Sequence, residues 1–238
     1  MTNRRQVGLA VKRLLDVAGA ALGLVVLSPV LACIALAVVV AQGRPVFFRQ
    51  ARPGLGGRPF TIVKFRTMRP TRPGEISYMT DPVRVTRLGR FLRETSLDEL
   101  PELWNVLRGD MSLVGPRPLL MAYLDEYTAE EARRHDMRPG ITGWAAVNGR
   151  HQIRFRDRLK LDIWYVDHWT WWLDLKILAM TVVQVIRRED VSTTESIEKG
   201  GFPLPVPGKP GPEGAAGREP AGATARAPGV RGGTGDDS

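Results

Sequence analysis

The stretch from residue 17 to 41 reads VAGAALGLVVLSPVLACIALAVVVA and carries no charged side chain. As a straight helix its 25 residues would extend about 37 Å at about 1.5 Å per residue, which is enough to cross the hydrocarbon of a bilayer. The run is therefore predicted to be a membrane segment. A cleaved signal peptide fits less well, because the apolar part exceeds about 7–15 residues and no clear cleavage site precedes the basic stretch after it.

The flanks and the middle of this run favour a segment that enters the membrane and bends back. Basic residues stand on both sides, whereas a spanning helix usually carries its excess of Lys and Arg on one side. They are Arg4, Arg5, Lys12 and Arg13 before the run and Arg44, Arg49 and Arg52 after it. Ser28-Pro29 lies near the centre, where proline removes a backbone hydrogen bond and predicts a bend. A kinked single span remains open, since proline is tolerated in such helices.

Beyond the apolar run, residues 46–68 read VFFRQARPGLGGRPFTIVKFRTM and predict a strand, a turn and a second strand. The glycines do not make a nucleotide P-loop, because neither a following helix nor the Gly-Lys-Ser/Thr ending is present. Helical patterns follow at about 83–94, 98–108, 118–135 and 156–167.

The C-terminal part contains an amphipathic segment and a low-complexity tail. Tryptophans at one end of residues 168–188 and a basic pair at the other are typical of a helix lying in the membrane interface, although an ordinary core helix fits the same pattern. Residues 200–238 are dominated by Gly, Pro and Ala, which predicts disorder. We expect a membrane-inserted part at 1–45, a catalytic body at 46–190 and a disordered tail at 191–238.

Composition narrows the partners of this chain. The formal net charge of +9 calls for an anionic partner. The positive and negative charges of residues 200–238 balance, so the excess positive charge belongs to the rest of the chain. This location favours lipid and phosphate groups over nucleic acid as partners. A single cysteine, Cys33, excludes a disulfide framework within one chain, and the three histidines have no metal-ligand spacing. Any metal would be a hard, oxygen-bound ion.

Residues 93–118, RETSLDELPELWNVLRGDMSLVGPRP, are the stretch richest in candidate catalytic groups. Asp98 and Glu99 precede Pro101, which favours a helix start. The plain structural interpretation is a capping box, in which Ser96 caps the helix and Glu99 returns a hydrogen bond. The functional interpretation is that the helix start favours phosphate, that one carboxylate of the pair holds Mg²⁺ on a diphosphate, and that its neighbour attacks phosphorus as a nucleophile.

Two carboxylates can approach a diphosphate only if cations intervene. The chain offers several basic residues in loop-like contexts next to Gly and Pro, each of which taken alone could equally be a solvated surface charge. These candidates for substrate binding are Lys64, Arg66, Arg93, Arg117, Arg138 and Arg150.

Five segments in this order resemble the bacterial sugar transferase family, the monotopic phosphoglycosyl transferases that start exopolysaccharide, O-antigen and glycoprotein glycan assembly. They are KRLLD (12–16) leading into Ser28-Pro29, FRQARPGLGGRPFTIVKFRTM (48–68), TRLGRFLRETSLDELPELWNVLRGDMSLVGPRPL (86–119), RPGITGWAAVNGR (138–150) and KLDIWYVDHW (160–169). Together they cover roughly residues 10–190. One departure is Ala146, where many relatives have Gln.

The resemblance implies a mostly helical, small α/β catalytic body with a short β-hairpin. It adds interfacial amphipathic helices and a re-entrant membrane helix broken at Ser28-Pro29, with the body on the cytoplasmic face of the bacterial inner membrane. It implies Asp98 as nucleophile and Glu99 as the Mg²⁺ ligand. Other positions that it places in or beside the donor site are Lys64, Arg93, Arg117, Arg150, Asp162 and Asp174. The implied substrates are a UDP-sugar and a polyprenyl (undecaprenyl) phosphate, with UMP as product.

Two other classes of function remain to be weighed against this one. The first is a membrane-tethered basic protein that binds or scaffolds without chemistry. The second is a glycosyltransferase that moves the bare sugar, which would release UDP in place of UMP.

Overall fold

The computed structural model describes residues 3–72, 83–148 and 154–187. Arg150 and the tail at 191–238 lie outside these ranges, as does most of the loop at 69–82. The described part is mostly helical and contains two small sheets, each of two strands.

The N-terminal apolar region forms two helices that meet at the predicted break. α1 runs over Asn3–Val26 and α2 over Ser28–Gln42, with an angle of 63° between them. Pro29 has no N–H to donate to the carbonyl of Val25, and the Ser28 hydroxyl donates to that oxygen instead at 2.8 Å. The predicted bend at Ser28-Pro29 is therefore confirmed. In the described ranges neither helix is long and apolar enough to cross a bilayer unaided, but the bent pair meets the requirement together.

The predicted strand-turn-strand is also confirmed. β1, Phe47–Pro53, pairs antiparallel with β2, Pro59–Phe65, through a short 3-10 turn at Leu55–Gly57. The buried Asn105 side chain joins the hairpin to the helix that follows the acidic pair, because it accepts from Val63 N at 3.0 Å and donates to Thr61 O at 2.7 Å.

Two short helices flank the acidic pair. α3, Arg87–Glu94, begins at Thr86, whose hydroxyl accepts from the Gly89 amide, and α4 covers Glu102–Arg108. A 3-10 turn at Leu97–Glu99 lies between them, so the predicted helix at 98–108 begins several residues later than expected. α4 ends at Gly109, whose φ of 98° lies in the left-handed region that favours glycine.

The single helix predicted over 118–135 is wrong. The chain forms a 3-10 segment at Met121–Glu126, a one-turn helix α5 at Ala129–Ala132 and a second 3-10 segment at Arg133–Asp136. The helix is interrupted because Tyr127 is extended and Thr128 starts a new helix with a capping box. The break turns Arg134 and His135 into the protein interior.

A small parallel sheet was not predicted. β3, Ser112–Val114, pairs with β4, Gly140–Thr142, each only three residues long. Gly115 follows β3 where the two backbones nearly touch, since a Cβ there would lie 2.3 Å from the carbonyl oxygen of Arg138. This approach fixes the start of the turn that carries Arg117.

Three helices complete the body: α6, Trp144–Asn148; α7, Phe155–His168; and α8, Trp171–Arg187. The helix predicted at 156–167 is confirmed as α7. α8 buries Leu173 and Ile177, whereas Trp172 is 81% and Ile186 76% exposed. Its apolar surface is thus only partly used by the core.

Apolar and polar contacts both join α1 to the body. Ala20 is packed with Ile62, Val106 and Met111. The carboxylate of Asp16 accepts from the Ser112 hydroxyl at 2.7 Å and from the Leu113 amide at 3.1 Å. Because Ser112 and Leu113 belong to β3, α1 supports the elements that carry the candidate site.

Arg13 provides a second polar anchor between α1 and the body. Its guanidinium donates to the carbonyl oxygens of Val106 at 2.7 Å and Leu107 at 3.1 Å. These carbonyls lie in the last turn of α4, where helical backbone acceptors have no partner within the helix. Arg13 therefore closes the end of the helix that follows the acidic pair.

Candidate active site

Charged side chains from three elements converge on the acidic pair. Lys64 comes from the end of β2, Asp98 and Glu99 from the 3-10 turn, and Arg117 from the turn after β3. Arg93, from the last turn of α3, also acts on the Asp98 carboxylate. The structure thus brings together five of the residues that the sequence predicts for this site.

Glu99 is the best-paired acid of this cluster. Oε1 of Glu99 lies 2.6 Å from Lys64 Nζ and also accepts from Arg117 Nη2, while Arg117 Nη1 approaches Oε2 at 3.4 Å. Burial alone would raise the pKa of Glu99, but the two cations overcome this effect and hold the pKa well below its usual range. Glu99 is accordingly a carboxylate at any physiological pH.

The capping-box interpretation of Ser96 and Glu99 is not what the structure shows. Ser96 adopts a left-handed conformation with φ of 54°, and its side chain makes no cap hydrogen bond. Glu99 turns to Lys64 and Arg117 instead of the backbone of Ser96. The Glu99 carboxylate therefore binds the cations of the cluster and does not cap the helix.

Asp98 is buried but not neutralised. The residue is 9% exposed, and none of the side chains in the described ranges forms an ion pair with its carboxylate. Burial, followed by the repulsion of Glu99, raises the pKa of Asp98 to about 6 against the opposing effect of Lys64, Arg93 and Arg117. Adjacent acids with pKa values moved in opposite directions are typical of catalytic sites.

Two members of the cluster were missed from the sequence. Glu102 lies 3.0 Å from Lys64 Nζ and is almost fully buried, and burial raises its pKa. Arg52, whose pKa burial lowers to about 10, acts electrostatically on Arg117 and Glu102. The three-residue spacing of Glu99 and Glu102 was a usable signal, because residues three apart on a helical turn share a face.

Arg66 and Arg138, which were predicted to bind substrate, donate to backbone carbonyl oxygens in the structure. The Arg66 guanidinium donates to the carbonyl oxygens of Gln42 at 2.5 Å, Gly43 at 2.6 Å and Arg44 at 3.1 Å, so it closes the C-terminal end of α2. Arg138 donates to Gly109 O at 3.0 Å, beyond the end of α4. Neither is among the charged groups that act on Asp98. Arg150 lies outside the described residues, and its predicted role stays a prediction.

Asp162 and Asp174 lie in two separate networks. Asp162 binds the buried Arg134 at 2.6 Å. Asp174 accepts from Lys12 of α1 at 2.7 Å and from the Tyr165 hydroxyl at 2.7 Å. Neither aspartate is among the groups that act on Asp98, so each can support the site only through its neighbours.

The carboxylates suit a magnesium ion that is shared with a substrate. Across residues 3–72, 83–148 and 154–187, no group of three or more His, Cys, Asp or Glu side chains could hold a metal alone. Mg²⁺ commonly binds through one or two carboxylates together with substrate phosphates, and Asp98 and Glu99 supply such oxygens. Lys64 Nζ is shared between Glu99 Oε1 at 2.6 Å and Glu102 Oε1 at 3.0 Å, so this one cation serves two carboxyl groups.

Several known proteins are similar to this chain over most of its length. The model of the bacterial sugar transferase family matches residues 7–188. A sugar transferase of Bacillus subtilis, EpsL, is 51% identical over 78% of this chain and 92% of its own length. The UDP-glucose:undecaprenyl-phosphate glucose-1-phosphate transferase of Caulobacter vibrioides is 46% identical over 75% of this chain and 71% of its length. The galactosyl transferase CpsE of Streptococcus agalactiae is 38% identical, and the match covers only 42% of it.

The raised pKa of Asp98 predicts that Asp98→Asn stabilises the protein at alkaline pH. The folded-state pKa of about 6 exceeds the unfolded value of about 3.9, so stability falls as the pH rises between these two values and the loss is complete above about pH 6. At pH 8 the Asn variant should gain on the order of 2–3 kcal/mol, and the gain should shrink by pH 5. Thermal unfolding of the purified protein in EDTA at both pH values measures this difference.

The exposed Asp125→Asn is the matched control, with an expected change within about 0.5 kcal/mol. An Asp98→Asn protein that unfolds at or below the wild-type temperature at pH 8 would contradict the proposed environment of Asp98.

Proposed function

This chain belongs to the bacterial sugar transferase family, and we propose that it transfers a sugar 1-phosphate from a UDP-sugar to polyprenyl phosphate, releasing UMP. The name of the Caulobacter relative supports this substrate pair, because that protein aligns with most of this chain and is covered over 71% of its own length. Relatives named for glucose and for galactose support a hexose donor. The product would be a polyprenyl diphosphate sugar, which starts the assembly of a surface glycan.

The observation that carries this proposal is that the adjacent acids Asp98 and Glu99 have different environments. Glu99 is neutralised by Lys64 and Arg117, whereas Asp98 is buried, faces several cations and has no ion-pair partner in the part of the chain that the structure describes. A carboxylate in this state is a competent nucleophile and needs no general base.

The proposed reaction has two displacements at one phosphorus. A carboxylate oxygen of Asp98 forms a bond to the sugar-bearing phosphorus, and the bond from that phosphorus to the bridging oxygen breaks, so UMP leaves with the bonding electrons. An oxygen of polyprenyl phosphate then attacks the same phosphorus, and the Asp98 carboxylate is released. Two steps allow a soluble donor and a lipid acceptor to be handled in turn.

The surrounding cations would supply electrostatic stabilisation. Lys64, Arg93 and Arg117 already act on the acidic pair, and the phosphate oxygens of the donor would be bound by the same positive charges. A Mg²⁺ ion held by Glu99 and the diphosphate would offset charge on the leaving group.

We further propose that the chain acts at the cytoplasmic face of the bacterial cell membrane, with the α1–α2 pair inserted as a re-entrant hairpin. The pair is apolar enough only when both helices are counted, and it bends by 63°. Large apolar side chains remain exposed on both helices, among them Leu22, Val25 and Val26 of α1 and Leu36 and Val40 of α2. Insertion would remove them from water, at roughly 25 cal/mol per Å² of apolar surface.

The proposed chemistry predicts UMP as the nucleotide product. Wild-type protein incubated with a panel of UDP-sugars, short-chain polyprenyl phosphate and Mg²⁺ should release UMP with at least one donor. Asp98→Asn should lower this turnover by at least about 10³-fold, because the covalent route loses its nucleophile. Glu99→Gln should raise the Mg²⁺ requirement, since it weakens the proposed ligand. Chromatography of the nucleotides measures both effects.

Asp125→Asn should keep full activity in the same assay. Release of UDP would assign the chain to bare sugar transfer. The absence of any nucleotide release, across the panel, would favour a membrane-tethered binding or scaffold protein.

The re-entrant topology predicts that both ends of the helix pair lie on one side of the membrane. In a background with Cys33→Ala, cysteines introduced as Asn3→Cys and Arg44→Cys should both react with an impermeant maleimide in inverted vesicles and not in spheroplasts. Asp125→Cys, in the catalytic body, reports the cytoplasmic side. Labelling of the Asn3 and Arg44 positions from opposite sides would establish a kinked span.

A further inference from the structure

Arg134 and Asp162 form a deeply buried ion pair next to the turn that carries Arg117. Arg134 Nη2 lies 2.6 Å from Asp162 Oδ2, and the two side chains are only 1% and 2% exposed. Arg134 comes from the second 3-10 segment and Asp162 from α7. A buried ion pair is weak evidence for stability, because desolvation of both charges can exceed their attraction. The other hydrogen bonds of Arg134 are therefore a better indication of what the pair does.

The third partner of Arg134 is the backbone of a proposed substrate-binding residue. Arg134 Nη2 donates to the Arg117 carbonyl oxygen at 2.7 Å, and Nη1 donates to the Tyr127 hydroxyl at 3.2 Å. Its Nε approaches Asp162 Oδ2 at 3.2 Å. The planar guanidinium thus holds three groups at once, which the compact ammonium of a lysine cannot reproduce.

The turn that carries Arg117 is held by packing and by hydrogen bonds together. Pro116 and Pro118 are buried on either side of Arg117, which is itself partly exposed. The two prolines restrict the backbone on either side of Arg117 but leave its carbonyl to be satisfied from elsewhere. Before the turn, Gly115 N donates to Thr142 O, and Gly140 N donates to Pro116 O.

We propose that Arg134 is a positioning residue for the transfer reaction, and that it holds the Arg117 backbone so that the Arg117 guanidinium stays on Glu99 and the donor phosphates. This inference rests on the proposed function. Arg134 touches no reacting atom, and its effect passes from Asp162 through Arg134 to the Arg117 carbonyl. We call this set of contacts, from Asp162 and Tyr127 through Arg134 to the Arg117 carbonyl, the clamp. Asp162 lies away from Asp98 and would contribute to the reaction only through the clamp.

The test is a double-mutant cycle on kcat/KM for UDP-sugar, made of wild type, Arg134→Lys, Arg117→Lys and the double variant. Arg134→Lys should lower kcat/KM by on the order of 10- to 100-fold, because small misplacements of a catalytic group are costly. In the Arg117→Lys background it should have little further effect, since both changes remove one function. The neighbouring Arg133→Lys, which keeps an exposed pair with Asp167, is the matched control and should stay at the wild-type rate.

Hydrogen exchange gives a readout that does not depend on turnover. In Arg134→Lys the amides of Gly115 and Gly140, which donate to Thr142 O and Pro116 O, should exchange faster while the unfolding temperature stays within a few degrees of wild type. If Arg134→Lys does not fold, Tyr127→Phe removes one contact of the clamp and should show a smaller, equally non-additive loss.

Additive losses in the cycle, an unchanged kcat/KM, or unchanged local exchange would each overturn the clamp. Failure of the wild type to transfer a phosphosugar would reject the proposed function instead, and the exchange measurement would still decide whether Arg134 holds the turn.

Discussion

The contact of Glu99 with Lys64 and Arg117 is the interaction on which the site depends. It joins the end of β2, the 3-10 turn and the segment after β3, which are distant in sequence. Removing one partner would leave a partly buried charge less well compensated, at a cost of roughly 1–3 kcal/mol. By satisfying Glu99, the two cations leave Asp98 as the acid whose charge is not paired. The pKa values of Asp98 and Glu99 therefore differ because different side chains surround each carboxyl group in the fold.

The apolar helix pair and the site are parts of one structure. Asp16 of α1 binds β3, Arg13 of α1 binds the end of α4, and Arg66, which follows β2, closes α2. Contacts of this kind tie the proposed membrane segment to the elements that carry the acidic pair. A lipid acceptor held at the membrane surface would accordingly meet a site whose position is fixed relative to α1.

Local signals predicted much of this arrangement. Serine and proline at 28–29 predicted the bend, and two short apolar, β-prone runs around a Gly-rich turn predicted β1 and β2, because both features act over a few residues. The acidic pair and its cations Lys64, Arg93 and Arg117 were also predicted, from residue type and from resemblance. The parallel pairing of β3 with β4 was not, since three-residue strands lack a usable period and depend on the distant contact at Gly115.

The differences from the sequence-based expectations have a common physical origin in tertiary contacts. Arg66 donates to carbonyls at the end of α2 and Arg138 Nε donates to Gly109 O, and their predicted role in substrate binding stays a prediction. Glu102 joined the cluster because the turn of α4 placed it on Lys64, a contact between residues far apart in sequence. The helix expected at 118–135 broke at Thr128, where a capping box outweighed the helical pattern.

The central claim is that Asp98 becomes covalently attached to the sugar phosphate. Wild-type protein should be incubated with UDP-sugar and Mg²⁺ in the absence of polyprenyl phosphate, and its intact mass recorded after acid quenching. We predict an added mass equal to one phosphosugar, located on Asp98 by peptide mapping and lost when acceptor is added. A wild-type protein that turns over with acceptor yet never carries this adduct, or an adduct that persists in Asp98→Asn, would contradict the account.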